Sequence, residues 1–279
     1  MNMKKVKKRV LKPKAKKKIS KPKTISKKKP IKRKTVTKKP AKILKVSTGV
    51  KNLDKITKGG FVKSSVNMIV GCTGTGKSIF AAQFLMAGLE KGEKCLYISF
   101  EEKKEEAYAN LLEIGWDFEK YEKAGKFFFI EYTPQKVQTM LEEGGGEIET
   151  TVLGQKIDRM SIDSISAFTS LFNNQPDERE SVLSLYSLLR KWTCTTLLTR
   201  ENDPSIKEKH SSVLEFESDS IINLYSMMKK NTREKFLEVL KMRRTKHSTK
   251  IYPYEIKNKG IIAKSRPFSG KLRIQEAAS

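Results

Sequence analysis

Eight consecutive residues, Gly71-Cys72-Thr73-Gly74-Thr75-Gly76-Lys77-Ser78, fit G-x-x-x-x-G-K-[ST], the spacing of a phosphate-binding loop. Glycines let backbone N–H groups close around phosphate oxygens. A helix beginning at the loop adds partial positive charge from its N-terminus. In such a loop Lys77 reaches the β- and γ-phosphates of a nucleoside triphosphate and the Ser78 hydroxyl ligates Mg²⁺. Two further acidic features suit the same chemistry. Asp163 ends the apolar stretch that starts at Arg159, about 85 residues beyond the loop, and reads as the carboxylate that holds Mg²⁺ directly or through water. Glu101 and Glu102 follow the apolar run Lys94–Phe100 at once and are candidates for orienting a water for attack on the γ-phosphate.

These residues need elements to place them. Val66–Val70 reads as a buried strand and Ile79–Leu89 as a helix closed by Gly92, so the loop lies between strand and helix. Lys94–Phe100, Lys126–Glu131, Arg159–Ser164 and Thr193–Thr199 read as further strands, with helices over 103–114, 118–124 and 178–190. Residues 137–153 are expected to be helical at both ends, interrupted by Gly144-Gly145-Gly146. Beyond Asp219 the pattern changes to strands separated by turns, at 220–227, 236–242, 250–256 and 260–263. A βαβα order followed by hairpin-like strands predicts an α/β fold: a mainly parallel sheet flanked by helices and extended by antiparallel strands at one edge. Ligands of such sheets sit at the carboxyl ends of the strands, where the loop, Glu101/Glu102 and Asp163 all fall.

Charge divides the 279 residues into two objects. Residues 1–42 hold 21 of the 58 Lys and Arg and no Asp or Glu, whereas the rest, 37 basic against 31 acidic, carries only +6 of the net +27. The first stretch, Lys runs punctuated by Pro13, Pro22, Pro30 and Pro40, is expected to be a disordered tail, leaving 43–279 as the folded domain. It suits salt-sensitive, sequence-independent contact with nucleic-acid phosphates, and without aromatic residues it offers no base stacking. Three cysteines without a C-x-x-C pair fit a reducing cytoplasm, with nucleoid association through the tail. No apolar run approaches the ~18 residues of a membrane span, and the N-terminus lacks the apolar core of a secretion signal.

Thr48-Gly49-Val50, Gly59-Gly60, the loop itself, Tyr97-Ile98-Ser99-Phe100-Glu101-Glu102, Gly115-Trp116-Asp117 and Lys241-Met242-Arg243-Arg244-Thr245-Lys246-His247 together resemble a KaiC-type ATPase, a branch of the RecA/RadA superfamily. The resemblance runs from about Ser47 to Ala263, one KaiC domain where the clock protein has two, as in the single-domain versions typical of archaea. It implies a RecA-like core, ATP and Mg²⁺ as ligands, slow hydrolysis served by Glu101 and Glu102, and a homo-oligomer, usually a hexameric ring, with nucleotide between subunits. The strand matching Lys241–His247 would then reach the neighbour's nucleotide, with Lys241 and Arg243 answering phosphate charge and His247 near ribose or base. Arg244 stands where the family has Gly. Glu215 and Phe216 stand where the clock protein's second repeat carries its phosphorylated Ser-Thr pair, so autokinase activity is not expected. Two non-enzymatic readings compete: a nucleotide-gated accessory of DNA repair or recombination, and a signalling scaffold in which hydrolysis is incidental. No helix-hairpin-helix segment or aromatic-x-x-Ala motif marks a strand-exchange recombinase.

Overall fold

The computed structural model describes residues 43–143, 146–202, 206–207, 212–229, 231–270 and 275–276. The basic tail expected over 1–42 lies outside the described residues. In chain order the first half contains β1 (Lys45–Val46), α1 (Leu53–Ile56), β2 (Phe61–Val62), β3 (Val66–Gly71), α2 (Lys77–Leu89), β4 (Cys95–Ser99), α3 (Lys104–Glu113), α4 (Phe118–Lys123), β5 (Phe127–Glu131), α5 (Pro134–Glu143) and α6 (Glu147–Gln155). The second half contains β6 (Arg159–Asp163), α7 (Ile165–Thr169), α8 (Gln175–Lys191), β7 (Thr195–Glu201), β8 (Ile206–Lys207), α9 (Val213–Glu217), β9 (Ser220–Lys229), β10 (Thr232–Met242), β11 (Tyr252–Lys257), β12 (Gly260–Ala263) and β13 (Gln275–Glu276).

Nine strands form one sheet in the order β12-β11-β10-β9-β3-β7-β6-β4-β5. From β9 through β5 every neighbouring pair is parallel. From β9 outward to β12 the pairs are antiparallel. The expected sheet, parallel with an antiparallel extension at one edge, is therefore the observed one.

Central strands are buried on both faces, which is why they read as unbroken apolar runs. Their side chains still alternate. Ile69, Tyr97 and Leu197 pack with Phe80, Phe84 and Leu85 of α2 on one face. Met68, Val70, Ile98 and Leu198 pack with Leu185, Tyr186 and Leu189 of α8 on the other. The helix that carries the phosphate loop is thus clamped by its whole inner face, and nine of its thirteen residues are buried. At its far end Gly92 takes φ 80° and the Glu93 N–H bonds to the Gly88 carbonyl at 3.0 Å, a glycine stop of the expected kind.

Boundaries moved where caps decide them. Helix α8 starts at Gln175 because the Asn174 side chain accepts from the Asp177 N–H at 3.0 Å and Pro176 fits the first turn. Strand β7 starts at Thr195, two residues later than expected, because Thr193 adopts φ 57° in the turn after α8. The short helices α7 and α9, each of five residues, were not expected, since so few residues show no helical period.

Candidate functional site

Strand β3 delivers Gly71 to the carboxyl edge of the sheet, and α2 departs from Lys77. The intervening turn requires its glycines. Gly74 and Gly76 have φ of 77° and 93°. A Cβ on Gly71 would lie 2.6 Å from Thr75 Oγ1 and 2.9 Å from the Leu224 carbonyl oxygen. The loop is closed by the Thr75 hydroxyl, which donates to the Cys72 carbonyl at 2.8 Å. Lys77 Nζ lies over the turn and donates to the same carbonyl at 3.2 Å. With Gly76 as N-cap, no side chain caps the start of α2 and no acid lies in its first turn, so the helix presents uncompensated N–H groups and positive polarity.

The antiparallel strands brace the loop from outside. Tyr254 of β11 donates to the Thr75 carbonyl at 2.5 Å, and its buried phenol is held well above its usual titration range by desolvation. Ile256 Cδ1 would lie 2.7 Å from a Cβ on Gly76. Lys235 Nζ of β10 donates to the Gly74 carbonyl, and burial lowers its pKa. On the other side, Thr73 donates to Glu201 at the end of β7. Arg233, Lys235, Ser226, Asn202 and Glu201 line an open cavity of about 590 Å³ against Cys72–Gly74. Sequence reasoning missed Lys235, Tyr254 and Glu201. They lie far along the chain from the loop and in no motif, and only strand order brings them to it.

Asp163 ends β6 opposite Ser99 of β4. Both its oxygens accept hydroxyls: Tyr97 donates to Oδ2 at 2.6 Å, and Thr199 of β7 donates to Oδ1. The Tyr97 phenol is pushed up strongly, first by burial and then by the Asp163 charge, so it stays a donor. Immediately beyond β4, Glu101 and Glu102 diverge. Glu101 Oε1 accepts from Ser164 Oγ at 2.8 Å, next to Asp163 in the chain. Glu102 Oε1 accepts from Asn110 Nδ2 of α3 at 2.5 Å, and its backbone N–H donates to Ser99 Oγ at 2.9 Å. The Glu102 carboxyl titrates above the usual range, chiefly from burial, with Asn110 opposing and the Asp163 and Glu106 charges adding to the rise. Each hydroxyl satisfies only one lone pair of its Asp163 oxygen, which leaves further acceptor capacity on both oxygens. One hard carboxylate and the Ser78 hydroxyl suit Mg²⁺, which takes one or two protein oxygens and fills its octahedron with phosphate and water. No cluster of three or more His, Cys, Asp or Glu able to hold a metal occurs among the described residues.

Lys241, Arg243 and His247 are not brought to the loop of their own chain. Lys241 pairs with Ile221, which pairs with Met68, three residues before Gly71. That places Lys241 about 10 Å back along the strand direction, with Arg243 farther still toward the opposite edge. Lys241 Nζ donates to the Glu215 and Phe216 carbonyls at 2.9 and 2.8 Å and sits 5.8 Å from the centre of the Phe216 ring. Arg243 donates to the Phe216 carbonyl at 2.8 Å. His247 Nδ1 lies 3.3 Å from the Thr245 carbonyl. Arg244 adopts φ 60°, which explains why glycine suits this position. Arg244→Gly is therefore expected to raise stability by up to ~1 kcal/mol, the relief of left-handed strain exceeding the added unfolded-state freedom. Chemical denaturation, with an unchanged m-value, checks it.

A parallel α/β sheet with a glycine loop feeding a helix, an acid on a nearby strand end and a glutamate beyond the next defines a RecA-like P-loop nucleoside triphosphatase fold. The family model described as "ATPase: KaiC" matches residues 46–267, and the chain belongs to that family. The circadian clock protein KaiC3 of Synechocystis sp. is 31% identical over 229 residues, which cover 79% of this chain and 45% of that protein. A UPF0273 protein of Pyrococcus furiosus is 31% identical over 234 residues, covering 79% of this chain and 94% of that one. The crystal structure of a KaiC-like protein from Pyrococcus horikoshii superposes with a TM-score of 0.71 at 32% identity, covering 80% of this chain and all of that one. The chain spans about half the length of the circadian relatives it matches.

Proposed function

We propose that this chain binds ATP with Mg²⁺ at Gly71–Ser78 and hydrolyses it slowly. The observation that carries the reading is convergence: the loop, Asp163 and Glu101 lie at the carboxyl ends of parallel strands β3, β6 and β4. Backbone N–H groups of the loop and Lys77 would take the phosphates. Ser78 and Asp163 would hold Mg²⁺, which when bound supplies neutralisation of charge on the β- and γ-phosphates. Glu101 would orient the attacking water and take its proton. Autokinase activity is not part of the proposal, because Glu215 and Phe216 offer no hydroxyl.

The site is proposed to be completed by a second copy in a ring, with Lys241, Arg243 and His247 acting on the neighbour's nucleotide. The place of Lys241 and Arg243 toward the opposite edge of the sheet from their own loop supports action in trans. Native mass measurement with ATP and with ADP tests the reading. Bound ATP in a closed oligomer is expected, and a monomer without nucleotide overturns it.

A second reading adds nucleic acid. The unbalanced charge of residues 1–42 favours tethering to DNA or RNA in the cytoplasm, with the nucleotide state gating assembly. No helix among the described residues is long and apolar enough to cross a membrane. If the tail neutralises six or more phosphates, affinity for duplex DNA should fall roughly 10³-fold or more between 50 and 200 mM salt. Removing residues 1–42 should abolish the binding. Titrations of a labelled duplex, with and without ATP, check both outcomes and separate gating from simple tethering.

A further inference from the structure

The geometry points to Ser164 as a positioning residue that aims the Glu101 carboxylate for hydrolysis, an inference that rests on the proposed ATPase reading. Ser164 is the N-cap of α7, with φ −115° and ψ 147°. In that conformation a serine oxygen ordinarily accepts an N–H of the helix it starts. Ser164 makes no such bond. Its hydroxyl, in a residue only 4% exposed, instead donates to Glu101 Oε1 at 2.8 Å. Helix α7 does without the cap because Ile165 and Phe168 anchor it with full burial.

The consequence is geometric. Glu101 is an exposed side chain just past the end of β4, and alone it would sample several rotamers. A charge-assisted hydrogen bond from a buried, backbone-fixed hydroxyl selects one. Because Ser164 follows Asp163 directly, and Asp163 is itself held by Tyr97 and Thr199, the selected position is registered to the proposed Mg²⁺ carboxylate. Glu102 is tied instead to Asn110 of α3, an exposed side chain that is not adjacent to Asp163. The acidic pair thereby divides, with Glu101 as the aimed group and Glu102 as part of the α3 support.

The test measures ATP turnover by the full chain and its Ser164→Ala, Ser164→Thr, Glu101→Gln and Ser164→Ala/Glu101→Gln variants. Ser164→Ala should lower kcat roughly tenfold or more, since misplacement of a reacting group costs that much or more. KM and the thermal midpoint should stay unchanged, because neither phosphate binding nor the helix cap uses this hydroxyl. Ser164→Thr, which keeps the donor, should recover most of the rate. In the Glu101→Gln background, Ser164→Ala should cause no further loss. A kcat within about twofold of wild type, or an equal loss in both backgrounds, overturns the inference. So does a loss that appears in KM rather than kcat. A wild-type chain that releases no phosphate overturns the hydrolysis reading and this inference with it. Sensitivity to Glu101→Gln without sensitivity to Ser164→Ala overturns the inference alone.

Discussion

Glu101→Gln is expected to slow phosphate release by roughly 10²- to 10⁴-fold while leaving ATP affinity close to wild type. The carboxylate is the one group at the site that is both a base and directed by a neighbour next to Asp163. Glutamine keeps the shape and an acceptor oxygen but cannot take a proton. The effect should therefore fall on the chemical step, and a single-turnover experiment with excess protein isolates it from product release. Glu102→Gln should do less, because its carboxyl is turned to Asn110 of α3 and not to a residue next to Asp163. Equal losses from the two substitutions would return the acidic pair to a shared role.

Lys77→Ala is expected to lower turnover by at least ~10²- to 10³-fold, and to weaken ATP binding as well. Lys77 emerges from the first residue of α2, and its ammonium reaches back over the loop to the Cys72 carbonyl. On the proposed reading, removing it would leave the β- and γ-phosphates with loop N–H groups and Mg²⁺ only. The fold should survive, since the buried inner face of α2 is untouched. Fluorescent-nucleotide titration together with phosphate release distinguishes this from Glu101→Gln. The lysine variant should fail in binding and rate, the glutamate variant in rate alone. If Lys77→Ala releases phosphate as fast as wild type, the measured activity does not come from this loop.

Much of this was legible in the chain alone. The loop motif is contiguous, so its chemistry depends on neighbours in sequence, and glycines at 74 and 76 announce the φ they adopt. Central strands were visible because burial on both faces demands continuous apolar runs, as in Val66–Val70 and Cys95–Ile98. Asp163, Glu101 and Glu102 were legible as strand-end acids. The role in trans of Lys241–His247 came from the family resemblance and stands as a proposal; the register itself sets Lys241 back from the loop of its own chain.

Other features depend on strand order, which no local pattern encodes. Strand β7 inserts between β3 and β6, and this puts Thr199 on Asp163 and Glu201 on Thr73. Antiparallel β10 and β11 return beside the loop, and this gives it Lys235 and Tyr254. The distinction between Glu101 and Glu102 is likewise tertiary: adjacent identical side chains face different partners because α3 and the start of α7 approach from different directions. The sequence by itself determined a phosphate-loop motif, the strand-end acids and the class of sheet that displays them, because those follow from contiguous residues and alternation. Only the tertiary structure decided which carboxylate is aimed, what braces the loop and where Lys241 and Arg243 lie, because those depend on contacts between residues far apart in the chain.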